Sequence, residues 1–352
     1  MQSRGIEVEG KKAQKLHVFL LDNNLLDRGK KPIGKNGLVI FPVLKIPAKK
    51  MLQLKKIAKG TKGRRIEFEQ HAKNPSTLKD ALASKFSKKE IEHVRGSFDL
   101  LGDCAIVEIP GELVAKQAQI GKALMSVNKS VKSVFAKTGA HAGIFRNEPV
   151  RLIAGKKTKF ATYKEHGCTF RISIGEVFFS PRLSTERKRI CGQIKKGEVV
   201  AALFAGVGPF PIIFAKNSQM KKAIAIELNP VAVQDMRHNI DLNKVQDRVE
   251  PILGDVSLLS KKFEGLCDRA VMPLPKGGES FLEDAIRFIK PEGGVVHYYQ
   301  FADRQNPFDV PTSQIAAACK KLGRKFKVIF KRKVRDYAPD IVQVVVDFEV
   351  WE

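Results

Sequence analysis

Two glycines and a glutamate are the residues of this chain best spaced to bind a small molecule. The apolar run Val199–Phe210 breaks at Gly206-Val207-Gly208-Pro209, and a second apolar run, Ala223–Ile226, ends at Glu227. Continuous apolar runs are typical of buried parallel strands, and glycines let the backbone turn sharply and approach a ligand. A carboxylate after the second strand suits hydrogen bonds to ribose hydroxyls. The spacing predicts a nucleotide cofactor, although glycines also occur in strand-to-helix turns for purely geometric reasons.

The prolines of this turn indicate which nucleotide binds. A dinucleotide fingerprint has a third glycine, so that the helix packs close to the strand and the pyrophosphate lies at the helix N-terminus. Pro211 stands at that position. Pro209 and Pro211 also remove two backbone N–H donors that a phosphate would need. A cofactor without phosphates fits better, and S-adenosylmethionine is one.

Asp255 and Phe204 are further candidates near the cofactor. Asp255 follows the short apolar strand Ile252–Leu253, where its carboxylate and the backbone amide of Val256 could contact an adenine edge. The alternative is an ordinary turn aspartate. Phe204 could lie beside the cofactor or belong to the core.

Glu186 lies on a short predicted helix before the glycine turn. Ser184 or Thr185 could cap this helix, which would place Glu186 in the first turn, where the helix dipole favours a carboxylate. The favourable interaction of a carboxylate with the helix dipole could by itself explain a glutamate at this position. However, we expect the helix and the glycine turn to face the same cleft beyond the carboxyl edge of the sheet.

The elements after Glu176 alternate between strand and helix, which predicts a doubly wound, mostly parallel sheet. Asn229 is a good N-cap for the helix after Glu227, and Pro230 suits its first turn. Two later runs, Lys325–Phe330 and Ile341–Val350, are close enough in sequence to pair as an antiparallel hairpin. The other strands predicted here are Arg269–Met272 and Gly293–Tyr299, with a helix over Phe281–Ile289 between them.

The preceding residues predict two further domains. Residues 66–170 show an α+β pattern, with helices over Thr77–Phe86, Lys88–Val94 and Glu112–Lys122 and strands over Ala105–Ile109 and Val131–Phe135. Residues 1–57 contain predicted strands at Val18–Leu21 and Leu38–Leu44, and the basic stretch Lys59–Arg65 is interpreted as a linker. We therefore predict domains over residues 1–57, 58–170 and 171–352.

The chain is strongly basic. Among 352 residues, 63 Lys and Arg against 37 Asp and Glu give a net charge of +26, which indicates a polyanionic partner. A basic surface that serves solubility is the alternative, but the basic clusters crowd the first hundred residues and Val199–Pro209 carries no charge. The five scattered cysteines suggest neither a zinc site nor a disulfide framework. We expect a reduced, cytoplasmic protein without a membrane span.

Four ordered motifs, with two further matches upstream of them, resemble the archaeal and eukaryotic tRNA (guanine(37)-N1)-methyltransferase family. The resemblance covers about residues 66–352 well and the first 57 residues loosely. The motifs are Ser97-Phe98-Asp99-x-x-Gly102-Asp103, Gly143-x-Phe145-Arg146, Phe179-Ser180-Pro181-Arg182-Leu183-x-x-Glu186-Arg187, Phe204–Phe210, Met272-x-Leu274-Pro275-Lys276 and Gly294-x-x-His297-Tyr298-Tyr299.

The resemblance implies a fold, a reaction and a set of site residues. The fold is a Rossmann-like class I methyltransferase domain, preceded by an α+β RNA-binding domain and a small N-terminal domain that contacts tRNA. Because guanine N1 carries a proton and charge develops at O6, the reaction needs a base and a cation. Glu186 matches the base and Arg146 matches the cation, although Arg146 alone would be taken for a surface residue. The predicted cofactor contacts are Arg187, Phe204, Gly206, Gly208, Pro209, Glu227, Leu228, Asp255, Val256, Pro273 and Leu274.

Four residues depart from the family pattern. Pro273 stands where many relatives have Asn, so backbone carbonyls or another residue must supply the lost contact. Ala202 replaces a frequent Asp, which removes a possible polar contact near the methionine end of the cofactor. Glu227 replaces the commoner Asp and keeps the ribose contact, whereas Phe178 replaces Tyr and loses a hydroxyl.

The leading hypothesis is S-adenosylmethionine-dependent methylation of N1 of the guanosine 3′ of the tRNA anticodon, at position 37, by a monomer. One alternative keeps the fold and cofactor but transfers the aminocarboxypropyl group, as in wybutosine synthesis. Glu186 and the Leu274-Pro275 motif argue against it. Another alternative is a tRNA-binding protein with a degenerate methyltransferase domain, and Ala202 and Pro273 support it.

Overall fold

The computed structural model describes residues 2–69, 77–139, 145 and 148–352. The chain forms two compact units, one ending at Asp80 and the other running Ala81–Glu352. The first unit therefore extends beyond the predicted boundary at residue 57, while the predicted division at residue 170 stays a prediction. No helix in the described ranges is long and apolar enough to cross a membrane.

The first unit is a four-stranded antiparallel sheet with two helices. The sheet order is β2-β3-β1-β4, and the helices bury Leu16, Leu20 and Leu54. Its strands are β1 Ser3–Glu9, β2 Ile33–Lys35, β3 Leu38–Pro42 and β4 Lys62–Ile66, and its helices are α1 Gly10–Asp22 and α2 Ala48–Ile57.

Two predictions for this unit are wrong. Val18–Leu21 lies within α1 and is not a strand, because a four-residue apolar run fits either period and the buried positions Leu16 and Leu20 follow the helical one. The segment predicted as a linker, Lys59–Arg65, contains most of β4, which pairs with β1. An exposed edge strand accommodates lysine and arginine, so composition alone suggested a loop.

The second unit begins with an α+β region. Its sheet has the order β5-β6-β7-β8, and a separate hairpin joins β9 to β10. The predicted helix Glu112–Lys122 is a 3₁₀ turn, Gly111–Lys116, followed by α5. Helix α3, Leu78–Leu82, spans the division at Asp80. The elements that follow it are α4 Lys88–His93, β5 Phe98–Leu101, β6 Cys104–Val107, α5 Gln117–Val127, β7 Ser133–Lys137, β8 Val150–Gly155, β9 Phe160–Glu165 and β10 Cys168–Ser173.

A seven-stranded sheet forms the rest of the second unit and confirms the Rossmann-like fold. Its order is β13-β12-β11-β14-β15-β17-β16, with β11 to β15 parallel and the last two strands antiparallel. Buried apolar clusters cover both faces, as a doubly wound sheet requires. The strands are β11 Val199–Leu203, β12 Lys222–Glu227, β13 Val249–Leu253, β14 Arg269–Met272, β15 Gly294–Asp303, β16 Lys325–Ala338 and β17 Ile341–Trp351. The helices are α6 Ser184–Cys191, α7 Pro209–Asn217, α8 Pro230–Asn243, α9 Val256–Leu259, α10 Leu282–Arg287 and α11 Asp309–Lys321.

Helix α8 is joined to β10 by buried polar side chains. Asn229 caps the helix as predicted, accepting a hydrogen bond from the amide of Val231 over 3.0 Å. One helical turn apart, Asp235 Oδ2 accepts from the Ser173 amide (2.7 Å) and Asn239 Oδ1 accepts from the Arg171 amide (2.7 Å). Because such contacts satisfy backbone groups of β10, they hold the end of β10, and thus the start of the segment leading to α6, against the Rossmann-like sheet.

Candidate active site

The glycine turn lies at the carboxyl end of β11 and leads into α7. Gly206 and Gly208 both have positive φ, at 56° and 85°, as does Phe204 at 53°. A Cβ on Gly208 would lie 2.8 Å from Met236 Cγ, whereas the nearest atom to a Cβ on Gly206 is the Phe178 carbonyl oxygen at 3.6 Å. Gly208 is therefore required by close packing onto α8, and Gly206 is the position where a ligand can approach the backbone.

Glu227 connects this turn to the end of β12. Its Oε2 accepts a hydrogen bond from the Gly206 amide and its Oε1 accepts one from the Asn229 amide, each over 2.8 Å. Burial raises the pKa of Glu227, although these amide contacts act in the opposite direction. Each oxygen can still accept a further hydrogen bond. The carboxylate therefore fits the ribose hydroxyls of a nucleoside cofactor.

The remaining predicted cofactor residues lie at neighbouring strand ends. Leu228 follows β12, Asp255 and Val256 follow β13, and Pro273 and Leu274 follow β14. The parallel order β13-β12-β11-β14 brings these strand ends to one edge of the sheet, where ligands bind in folds of this type.

Three of these residues already have partners within the protein. Asp255 caps α9, accepting from the Ser257 amide (2.8 Å) and hydroxyl (2.6 Å). The side chain of Val256 is buried, which leaves its backbone for any ligand contact. The Phe204 ring packs edge-on against Phe281, with ring centroids 5.0 Å apart.

Arg187 has a different environment from the one predicted. It is 1% exposed, its Nε lies 2.5 Å from Glu165 Oε1, and its Nη2 donates to Glu165 Oε2 (2.9 Å) and to the Ser180 carbonyl (3.2 Å). The guanidinium also lies over the rings of Phe179 and Phe210. A cofactor or phosphate contact would require Arg187 to leave this buried pair. In this structure it instead joins α6 to β9, to α7 and to the segment before α6.

Glu186 lies in the first turn of α6, as predicted, but the predicted cap is wrong. A 3₁₀ turn, Pro181–Leu183, leads directly into α6, and Leu183 occupies the cap position without a side-chain hydrogen bond. The Ser184 hydroxyl contacts His166 Nε2 over 2.9 Å instead. The continuous turn therefore replaces the expected side-chain cap.

The Glu186 side chain is 2% exposed and surrounded by donors. Its Oε2 accepts hydrogen bonds from the Tyr299 hydroxyl (2.8 Å) and from Arg189 Nε (3.0 Å). Burial raises the pKa of Tyr299 well above its usual range, so its hydroxyl remains a donor. Arg332 Nη1 lies 3.2 Å from Oε1 and is 41% exposed. Two arginines thus lie against the Glu186 carboxyl group.

The two oxygens of Glu186 are not equivalent. Oε1 is buried and makes no hydrogen bond to any described residue, whereas Oε2 makes two. A buried acceptor without a hydrogen bond is costly in a folded protein. Its nearest cation is the partly exposed Arg332, at 3.2 Å, so Oε1 is the oxygen with more acceptor capacity left for an incoming donor.

A cavity of about 240 Å³ lies beside the segment that leads into α6. Arg182 at its wall donates to Asp99 over 2.7 Å, and Phe178 is 47% exposed. Burial, together with nearby Arg182, lowers the pKa of Arg335 in this wall. The residues that line it come from β5, β10, the Phe178–Arg182 segment and the end of β16, and include Asp99, Ser173, Phe178, Arg182, Arg335 and Tyr337.

Sequence reasoning missed part of this arrangement. Asp99 was named above only as part of a motif that resembles the family. No local sequence pattern marked Arg335, Tyr337, Arg189 or Arg332 as part of the site. Arg146 lies outside the described residues. In the described part of the chain, no group of His, Cys, Asp and Glu side chains could hold a metal ion, and all five cysteines are free and buried.

Two family models match the chain. One, described as the TRM5/TYW2 methyltransferase domain, matches residues 161–329, and the other, described as the TYW2 N-terminal domain, matches residues 78–158.

Curated relatives include two kinds of transferase. The chain is 34% identical over 345 residues to the tRNA (guanine(37)-N(1))-methyltransferase Trm5b of Pyrococcus abyssi, covering 98% of each chain. It is also 34% identical over 216 residues to the tRNA(Phe) (4-demethylwyosine(37)-C(7)) aminocarboxypropyltransferase of Methanocaldococcus jannaschii, covering 61% of this chain and 85% of the relative.

Similar solved structures extend over nearly the whole chain. The wild-type Trm5b structure from Pyrococcus abyssi is 34% identical, with a TM-score of 0.79 over 99% of this chain and 100% of that one. A complex of aTrm5 with tRNALeu has 29% identity and a TM-score of 0.78, covering 98% of this chain and 99% of that one. Methanocaldococcus jannaschii Trm5 in complex with adenosine has 28% identity and a TM-score of 0.65, covering 98% of each chain.

Proposed function

The chain belongs to the TRM5/TYW2 methyltransferase family, and we propose that it methylates N1 of the guanosine at tRNA position 37, with Glu186 as the general base. It is a tRNA methyltransferase that uses S-adenosylmethionine. The observation that carries the proposal for Glu186 is its buried Oε1, which makes no hydrogen bond to the described residues.

The proposed chemistry depends on one proton transfer. Guanine N1 becomes a nucleophile when its proton leaves, and Oε1 of Glu186 accepts that proton. Tyr299 and Arg189 hold Oε2, so the acceptor oxygen keeps one orientation. When bound, S-adenosylmethionine supplies an electrophilic methyl group on a sulfonium. Arg146, which lies outside the described residues, is proposed from the family resemblance to stabilise the charge at O6.

The cofactor contacts are proposed at the carboxyl edge of the sheet. Glu227 would accept hydrogen bonds from the ribose, and the Asp255 carboxylate with the Val256 amide would bind the adenine edge. Gly206 supports this placement, since a Cβ there would meet only the Phe178 carbonyl oxygen, at 3.6 Å. Phe204, Gly208, Pro209, Leu228, Pro273 and Leu274 would complete the pocket, with backbone carbonyls near Pro273 replacing the amide found in many relatives.

The proposed substrate is tRNA with guanosine 3′ of the anticodon, bound by a monomer in the cytoplasm. The net charge of +26 supports a polyanionic partner, because lysine and arginine contacts to phosphate dominate nucleic-acid affinity. By resemblance, the residues that we predicted as a small N-terminal domain, 1–57, would contact the tRNA body away from the anticodon.

A second candidate is transfer of the aminocarboxypropyl group. The relative from Methanocaldococcus jannaschii with that name and the match to the TYW2 N-terminal domain favour it. The buried oxygen of Glu186 favours N1 methylation, because a guanine N1–H must lose its proton to become a nucleophile. A degenerate tRNA-binding protein is the third candidate, supported by Ala202 and Pro273.

One assay separates these candidates. Purified protein is incubated with labelled S-adenosylmethionine and two unmodified tRNA transcripts that differ only in guanosine or adenosine at position 37, and the nucleosides are analysed by mass. We expect 1-methylguanosine from the first transcript alone. A third tRNA, which carries 4-demethylwyosine at position 37, tests the second candidate, and a nucleoside heavier by an aminocarboxypropyl group from that tRNA would support it. Absence of cofactor binding by calorimetry would support the third candidate.

A further inference from the structure

A line of ionisable side chains, all buried except the partly buried Arg189, crosses the second unit and ends at Glu186. The side chains on the line come from α6, β14, β15 and β17, and from Glu198, which lies just before β11. Consecutive members lie within 3.0 Å of each other. In order, they are Glu198, Arg269, His297, Asp347, Arg189 and Glu186.

Asp347 is the unusual member of this line. It lies among the buried residues of β17, nearly all of which are valine or phenylalanine, and its side chain is 1% exposed. Burying a carboxylate in such a strand costs free energy unless the charge is paired. Because a buried charge seldom adds net stability over an apolar residue, the position of Asp347 calls for a role besides packing.

Asp347 and Glu186 hold two adjacent edges of the same guanidinium and share its Nη2. Arg189 Nη1 and Nη2 donate to Asp347 Oδ2 (2.5 Å) and Oδ1 (3.3 Å). The other edge of the guanidinium contacts Glu186 Oε2 through Nε (3.0 Å) and Nη2 (2.9 Å). Since a planar guanidinium has a fixed arrangement of donors, fixing it on Asp347 also fixes the Glu186 carboxylate.

His297 supports Asp347 as a neutral side chain. It lies directly opposite Asp347 in the pairing of β15 with β17, with Nδ1 2.8 Å from Oδ1. Arg269 Nη1 donates to His297 Nε2 over 2.7 Å, so the ring carries its proton on Nδ1, facing Asp347. Burial lowers the pKa of His297, and nearby Arg269 and Arg189 lower it further. Burial alone would raise the pKa of Asp347, but its contacts with His297 and Arg189 lower that pKa.

We propose that Asp347 is a positioning residue for Glu186, which acts by holding Arg189 so that Arg189 holds Oε2 and Oε1, beside Arg332, is the oxygen that accepts the substrate proton. This inference rests on the proposed role of Glu186 as the base. The other groups that face Glu186 are Tyr299 from β15 and Arg332 from β16. No hydrogen bond or ion pair between the described side chains joins either of them to Asp347, although the Asp347 charge acts on Tyr299 at longer range. The direct contact from Asp347 towards Glu186 is therefore the one through Arg189.

The test is a double-mutant cycle on the full-length protein. Single-turnover methyl transfer is measured with saturating S-adenosylmethionine and the guanosine-37 transcript for wild type, Asp347→Asn, Glu186→Gln and the double variant. We expect Asp347→Asn alone to slow transfer by about 10- to 100-fold, the scale of a misplaced catalytic group, with dissociation constants for cofactor and tRNA within about twofold of wild type. In the Glu186→Gln background, Asp347→Asn should cause no further loss, because it acts through Glu186.

Asp268→Asn is the matched control. Asp268 is a half-buried aspartate paired with a cation, Lys290, through a 2.6 Å contact, and it lies just before β14, away from the carboxyl edge of the sheet. It should lower the melting temperature without changing the single-turnover rate per folded molecule. If Asp347→Asn and Glu186→Gln instead slow transfer independently and additively, or if Asp347→Asn resembles Asp268→Asn, the proposal is wrong.

Two further measurements cover the cases in which Asp347→Asn does not fold or the wild-type protein forms another product. If Asp347→Asn does not fold, Arg189→Lys takes its place in the cycle, because lysine keeps the charge but cannot contact both carboxylates with a fixed fork; additive loss there also overturns the proposal. If wild type forms a product other than 1-methylguanosine, the proposed function fails. The coupling between Asp347 and Glu186 is then measured on the product that forms, so the two failures are distinguishable.

Discussion

The backbone amide of Gly206 donates a hydrogen bond to Glu227 Oε2 over 2.8 Å, which ties the glycine turn after β11 to the end of β12. The second oxygen of Glu227 is held by the Asn229 amide at the start of α8. One carboxylate thus fixes three backbone segments around the proposed ribose position. The same contact orients the acceptor that a ribose would use.

Replacing Glu227 by Gln should weaken cofactor binding. An amide presents one acceptor oxygen where the carboxylate presents two, and hydrogen bonds to charged acceptors are the stronger ones. We expect the dissociation constant of S-adenosylmethionine, measured by calorimetry, to rise by about tenfold or more. Glu250→Gln is the control, because Glu250 on β13 pairs with Lys222 at the surface. Equal affinities for wild type and Glu227→Gln would remove Glu227 from the site.

Cofactor affinity should also depend on pH through Glu227. Burial raises the pKa of this carboxyl above its ordinary value in the free protein, so its protonated form persists to higher pH than that of an exposed glutamate. Ribose hydroxyls donate to the charged form, which means that binding favours deprotonation. Affinity should therefore increase as pH rises through the pKa of Glu227, and binding should be accompanied by proton release. Calorimetry in buffers of different ionisation enthalpy measures this release, which Glu227→Gln should abolish.

Because the pKa of Glu227 is raised, the stability of the free protein should fall as pH rises, whereas cofactor affinity should increase. Since the folded carboxyl binds its proton more tightly than the unfolded one, its contribution to stability is fully present below the unfolded pKa and is lost as pH rises through the folded pKa. The cofactor should offset this loss at neutral pH. Thermal melts of wild type with and without S-adenosylmethionine should therefore diverge as pH increases, and a constant difference would contradict this expectation.

Replacing Glu186 by Gln should slow methyl transfer while cofactor and tRNA still bind. The amide preserves the shape of the side chain but cannot accept the N1 proton as a carboxylate does. A general base contributes about 10²- to 10⁴-fold, so single-turnover rates should fall within that range. Affinities for S-adenosylmethionine and tRNA are measured on the same preparations. An unchanged turnover rate would show that another group accepts the proton.

Replacing Arg187 by Met should destabilise the fold more than it weakens cofactor binding. The substitution leaves Glu165 buried at 4% exposure without its cation, and breaking such a pair typically costs about 3–5 kcal/mol. The double variant Arg187→Met with Glu165→Gln should recover part of the free energy of unfolding. A weaker cofactor affinity at an unchanged melting temperature would instead support the direct cofactor contact predicted from the sequence.

Deleting residues 2–69 should weaken tRNA binding and leave cofactor binding intact. This deletion removes the whole first sheet, whereas a cut at residue 57 would leave β4 without β1, its partner strand. If the first unit contacts the tRNA body, affinity should fall on the order of tenfold, and the salt dependence of binding should become shallower because fewer phosphates are contacted. Unaltered tRNA affinity with the same salt dependence would exclude the first unit from the interface.

The predictable elements of the fold are those with a local pattern. The strands at Val199–Leu203 and Arg269–Met272 form from buried apolar runs, and Asn229 and Pro230 start α8 through their own backbone preferences. β4 had no such pattern, because its five residues are stabilised as an edge strand by backbone pairing with β1. Likewise, the polar side chains of α8 gave no sign that they bind β10, since their partners lie more than sixty positions away.

The sequence by itself determined the sheet, the glycine turn and the chemical types of the site residues, because strand periodicity, turn geometry and motif spacing are all short-range properties. Only the tertiary structure decided what those residues contact. Tyr299 reaches Glu186 across 113 positions and Asp347 reaches Arg189 across 158, while Arg187 is occupied by Glu165. The strength of each contact depends on the loss of water around buried charges, which is set by packing between distant segments.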